Sequence, residues 1–273
     1  MPAIQPARLR QQAALLSEHF ERPAAFVRSL HHLLDFYADR THRPGQAGEP
    51  PPLLAAYNVK PPVLRQILYE LVSLADDQPE VGLALCDALW EQAYLEFRLL
   101  AAGLLGQIPP DPPEALLHRV EAWARSVSDA RLVGIILNTS LARLRQENPP
   151  GLVRQVERWL TESEIFFQKL GLQALLPLLE DQRFENFPVF YRLIYPLARV
   201  APTSLRPELL DVVGALARRS PRETAYFLRQ TMETPKSPDT AWIIRRSLGN
   251  FPPEVQESLR LAVREFNRPG EKN

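Results

Sequence analysis

Apolar residues recur three and four positions apart through most of the 273-residue chain. Val63, Ile67, Leu68, Leu71 and Leu74 form one stripe, and Leu116, Val120, Trp123 and Val127 another. Leu152, Val156, Trp159 and Leu160 make a third, and Leu205, Leu209, Val212, Val213 and Leu216 a fourth. That spacing keeps the apolar positions on one side of a helix. Alternation by twos, the mark of a half-buried strand, is almost absent, and no Asn-Gly or Asp-Gly hairpin turn occurs.

The 27 prolines punctuate this pattern rather than break it. Many stand where a stripe begins: Pro61-Pro62, Pro79, Pro112-Pro113, Pro149-Pro150, Pro207, Pro221 and Pro252-Pro253. Proline in the first helical turn gives up no hydrogen bond and supplies a helical φ. Ser220-Pro221-Arg222-Glu223, and Ser163 with Glu164, add N-terminal signals of their own. Pro177 and Pro196 fall inside helical stretches and are expected to kink or end them. Punctuation every 12–20 residues predicts roughly thirteen helices, about six pairs at the ~40-residue period of HEAT-type repeats. Thr41 to Pro52 has no apolar anchor and reads as a loop. The expected fold is all-α, an α-solenoid of HEAT-like helix pairs: a helical hairpin in 1–40, a loop over 41–52 and a repeat array over 53–273.

Composition narrows the function classes. Hydrophobic residues make up 45% of the chain, enough for a substantial core, and in a solenoid each repeat packs only on its neighbours. Thirty-two basic and 32 acidic residues cancel, which argues against a histone-like binder, although a neutral total can hide a local patch. The balance is uneven: residues 1–136 carry 12 basic and 16 acidic side chains, and the remainder 20 and 16. The lone cysteine, Cys86, excludes an internal disulfide or a Cys-rich zinc site, and its apolar run reads as buried. No apolar run reaches the length of a membrane span, and the first residues lack a signal-peptide core, so a cytoplasmic protein without a membrane partner is expected.

Candidate chemistry is sparse. His31, Asp35 and Asp39 share a helix face with His42 just beyond, a set of metal-ligating types. No second cluster completes it, and a solvated helix face is the expectation. Nucleophile-elbow, zinc-protease and phosphate-loop motifs are absent, so no cofactor, metal or catalytic nucleophile is expected. Trp90, Trp123 and Trp159 each lie in an apolar stripe, which favours packing between repeats over stacking on bases. Trp242 stands beside Arg245 and Arg246, where an exposed role is open. From Arg183 to Arg246 lie 11 basic and 6 acidic residues. Arg218, Arg222 and Arg229 share roughly one side if the turn between them is tight. Arginine forks grip phosphate oxygens in pairs, although with 28 Arg against 4 Lys it is also this chain's usual cation.

Several segments share a further pattern. Tyr57-Asn58-Val59-Lys60-Pro61-Pro62-Val63-Leu64-Arg65 is one, and Leu89-Trp90 through Glu96-Phe97-Arg98 to Ala101 is another. Trp123-Ala124 followed by Ala130-Arg131-Leu132-Val133, and Trp159-Leu160-Thr161-Glu162-Ser163, continue it. Over roughly residues 53–250 the chain resembles the AlkD-type DNA alkylation repair family of HEAT-like proteins. The resemblance implies DNA held in a concave basic groove and excision of cationic alkylated bases by an aspartate, an arginine and aromatic rings. It also places Gly134 where the catalytic aspartate would stand, Ala130 at one aromatic position and Ala215 at a tryptophan position. At the family arginine only Lys169, after Gln168, keeps the charge, and Asp129 is out of register with the missing acid. A carboxylate would stabilise the charge that builds as a cationic base departs, which glycine and alanine cannot do.

The function expected is therefore DNA-backbone binding without base excision, a pseudoenzyme, through Lys169, Arg218, Arg219, Arg222, Arg229, Arg245 and Arg246. Two other readings stand beside it: a protein–protein scaffold, and an active glycosylase with relocated acid chemistry.

Overall fold

The computed structural model describes residues 5–41 and 54–268, so the loop expected over 41–52 lies, beyond Thr41, outside the described residues, as does His42. The described residues form fifteen α-helices and no strand, apart from an isolated bridge between Ala55 and Tyr94. The fold is all-α, as the periodicity predicts.

The chain divides into two compact units, Met1–Pro149 and Pro150–Asn273. The first holds α1 (Pro6–Ser17), α2 (Pro23–Tyr37), α3 (Pro61–Asp77), α4 (Pro79–Trp90), α5 (Leu95–Leu105), α6 (Glu114–Arg125), α7 (Ala130–Ile135) and α8 (Ala142–Glu147). A π-helical turn, Ile136–Ser140, separates α7 from α8. Helix α9 (Pro149–Thr161) opens the second unit, followed by α10 (Ile165–Glu180), α11 (Phe187–Val200), α12 (Arg206–Arg219), α13 (Pro221–Glu233), α14 (Pro238–Ser247) and α15 (Pro253–Phe266).

Eight of these helices begin on a proline, and Asp129 and Ser237 each cap a helix by accepting a first-turn amide on the side chain. Here proline does the work that Ser, Thr or Asp usually does, by removing an amide that would otherwise lack a partner. Pro61, Pro149 and Pro253 stand at helix starts as expected. Pro177 and Pro196 sit within the last turn or so of α10 and α11, which end at Glu180 and Val200.

Over α1 to α5 and again over α10 to α15, helices pack on the helix next but one in sequence. Contacts run α1–α3–α5 and α2–α4 in the first unit, and α10–α12–α14 and α11–α13–α15 in the second. That is the local pattern of stacked helix pairs, two layers sharing one apolar seam. The stripes read from the sequence line it: Val63, Ile67, Leu71, Leu116, Val120, Val156, Leu209 and Val212 are all buried. Trp90 and Trp123 stack across α4 and α6 at 4.4 Å between ring centroids and 5° between planes. They and Trp159 are buried, so all three tryptophans pack in the core. Cys86 is also fully buried, which pushes its thiol pKa up and keeps it protonated. Gly106 ends α5 against the π-helical turn; a Cβ there would lie 2.0 Å from the Thr139 carbonyl oxygen, so only glycine permits this approach.

Candidate nucleic-acid interface

The two segments that carry the strongest sequence resemblance meet in the first unit. Glu96, in the first turn of α5, is 4% exposed, and its carboxylate accepts the backbone amides of Asn58 at 2.7 Å and Tyr57 at 3.1 Å. Asn58 adopts φ 55°, a left-handed conformation that the paired amide bonds hold in place. The Tyr57 ring stacks on Tyr94 at 4.8 Å, and its hydroxyl bonds His31 Nδ1 at 2.7 Å. Burial, and then the neighbouring Tyr94, push the Tyr57 pKa up to about 12. The Glu-x-Arg signature therefore has a structural task here. Its arginine, Arg98, lies over the Trp90 ring at 4.8 Å, and burial draws its pKa down. Replacing Glu96 with Gln turns one acceptor into a donor facing a backbone amide. The expected cost is about 1.5–3 kcal/mol, the range of a hydrogen bond to a charged group, read as a lower urea midpoint.

His31 thus belongs to an aromatic cluster: Phe97 lies 4.3 Å from its ring, and Nε2 faces Gln92 Oε1 at 3.5 Å. Asp35 pairs with Arg40, and Asp39 accepts the Thr41 hydroxyl. Among the described residues no group of three or more His, Cys, Asp or Glu could hold a metal.

The positions at which the resemblance would put excision chemistry are bare. Ala130 and Gly134 are exposed on α7, and a Cβ at Gly134 would meet nothing within 4 Å. Asp129 caps α7, accepting the Arg131 amide at 2.9 Å. Ala215 is buried within α12. Lys169 on α10 lies 3.6 Å from the Glu208 carboxylate on α12. Asp211, one turn along α12, has its pKa raised by burial first and by Glu208 second.

The arginines expected at the interface separate into three groups. Arg218, exposed at the end of α12, donates to the side chain of Asn250 at 3.4 Å, in the 3-10 turn Leu248–Asn250 that follows α14. Arg245 and Arg246 occupy the last turn of α14, both exposed and without a side-chain hydrogen bond or ion pair among the described residues. Arg219 turns inward instead: its guanidinium donates to the carbonyls of Leu179, Asp181 and Phe184, closing the end of α10. Arg222 and Arg229 stand exposed on α13, in the other layer, and Arg222 lines a groove against α11. Trp242 is half-buried under Arg206, whose guanidinium lies 4.3 Å from the ring and also binds Asp239.

Sequence reasoning did not single out Glu96 as an anchor for Tyr57 and Asn58, or the tyrosines of the α11–α13 groove. Tyr191, Tyr195 and Tyr226 gave a faint signal, since their helix positions do not all fall on the apolar stripe.

Residues 53–194, a little over half of the chain, match a family model described as DNA alkylation repair enzyme. Neither a curated protein nor a solved structure matches the chain.

Proposed function

The chain belongs to the DNA alkylation repair enzyme family, and from that premise we propose that it binds the DNA backbone through arginines at the joined ends of α12 and α14, without excising bases. Membership ties the chain to DNA in general; the arrangement of charge supports the finer reading. The observation that carries it is the hydrogen bond from Arg218 to Asn250, just past α14, the helix whose last turn carries Arg245 and Arg246. Arg218, Arg245 and Arg246 lie on helices that pack together, and Arg245 and Arg246 have no partner among the described residues, which leaves them open to phosphate oxygens. Lys169 and Arg219, already engaged within the protein, hold the scaffold rather than offer free charge.

Contacts to phosphate carry no base information, so two duplexes of unrelated sequence should bind with nearly equal affinity. The test is a mobility shift of both duplexes at about 50 mM salt, where backbone contacts are strongest. Equal binding supports the reading. No shift at that salt overturns it and leaves a protein–protein scaffold as the leading alternative.

A further inference from the structure

We propose that the groove between α11 and α13 binds an unpaired stretch of nucleic acid, stacking its bases on Tyr226 and Tyr195. The groove encloses about 590 Å³ and is walled by Pro188, Tyr191 and Tyr195 from α11 and by Arg222, Tyr226 and Phe227 from α13. Its floor is rigid. Tyr191 and Phe227 stack at 5.0 Å and 24°, and the Tyr191 hydroxyl bonds Thr224 Oγ1 at 3.0 Å. Above that floor Tyr226 is 67% exposed and Tyr195 39%, large ring surfaces that nothing in the described unit covers.

Charge selects the occupant. Helices α11 and α13 carry the arginines 192, 199, 222 and 229 against the glutamates 223 and 233. Arg192 is held by Glu157, and the Glu223 carboxylate accepts the Ser220 hydroxyl at the start of α13. Arg199 reaches the Tyr195 hydroxyl at 3.4 Å, so one cation borders that ring. Arg222, Tyr226 and Arg229 recur four and three residues apart on one face of α13, alternating cation, ring and cation over about 10 Å. Stacking rings flanked by cations are what an unpaired strand needs, one for base faces and the other for phosphates. A duplex keeps its base faces covered by neighbouring pairs and offers only edges and backbone. The groove belongs to the layer opposite α12 and α14, so single-strand and duplex contacts fall on different helices.

This inference rests on nucleic acid being the ligand of the chain, and the experiment separates the two ideas. A short fluorescent oligothymidine and a duplex are titrated with the full-length protein and followed by anisotropy. The double variant Tyr195→Ala, Tyr226→Ala should weaken oligothymidine binding by about 5- to 160-fold per ring while leaving duplex affinity within error. Tyr226→Phe should bind as wild type, because the ring face rather than the hydroxyl is used. Both tyrosines are exposed, so an unchanged helical circular-dichroism spectrum confirms that the variants fold. Oligothymidine binding that is absent, or indifferent to the tyrosine substitutions, overturns the inference while leaving duplex binding intact. A proline-rich peptide that binds in a Tyr226-dependent way where oligothymidine does not would assign the groove to protein and overturn it equally. Failure of both strands to bind refutes nucleic acid as the ligand altogether.

Discussion

A duplex carrying 7-methylguanine or 3-methyladenine will keep its methylated base when incubated with excess protein under single-turnover conditions. As a cationic base leaves, positive charge builds on the sugar, and a preorganised carboxylate and electron-rich ring faces are the groups that stabilise it. Losing one preorganised group of this kind costs on the order of 10²- to 10³-fold in rate. Gly134 offers no side chain, Ala130 only an exposed methyl group, and Ala215 is buried, so three such groups are missing together. The acid nearest in sequence, Asp129, is occupied as the cap of α7. Gly134→Asp should fold, because the space beyond its Cβ is open, yet it should remain inactive, since groups that act as a unit do not rescue singly. Release of free methylated base by the wild-type protein at a rate far above spontaneous loss would refute the non-excising reading.

The helices were legible because each apolar stripe and each proline reports a local preference that tertiary packing did not override. Pro61, Pro149 and Pro253 mark helix starts, and Val63, Ile67 and Leu71 face the core that their spacing implies. Among the described residues fifteen helices stand where roughly thirteen were expected, partly because the π-helical turn at Ile136–Ser140 divides one apolar stretch into the short α7 and α8. An extra residue in one turn leaves almost no trace in a three-and-four spacing. Charge was legible as a total but not as a direction. Arg218, Arg219 and Arg222 lie within five positions, yet they point three ways: successive positions on α12 send Arg218 to Asn250 and Arg219 into the end of α10, and the helix break at Ser220 turns Arg222 toward α11. The Glu96 anchor was hidden for another reason, since it spans 39 positions to Tyr57 and no spacing rule joins them.

The second large effect follows from that divergence. Removing Arg218, Arg245 and Arg246 together should weaken duplex binding uniformly across sequences, because the lost contacts are to backbone. Each neutralised phosphate contributes about −0.9 to the slope of log affinity against log salt, so three lost contacts should flatten it by about 2.7. Between about 50 and 200 mM salt that corresponds to some 40-fold of lost salt sensitivity. Arg219 makes a poor probe, since its removal would strip three carbonyls of their partner and damage the fold. Arg28, exposed on α2 in the first unit, serves as the control and should leave the slope unchanged. The decisive measurement is therefore the salt dependence of duplex affinity for wild type, Arg28→Ala and the triple variant Arg218→Ala, Arg245→Ala, Arg246→Ala. A steep slope that the triple variant alone flattens by about 2.7 is the predicted result; a triple variant that binds duplex with wild-type affinity and slope would contradict the account.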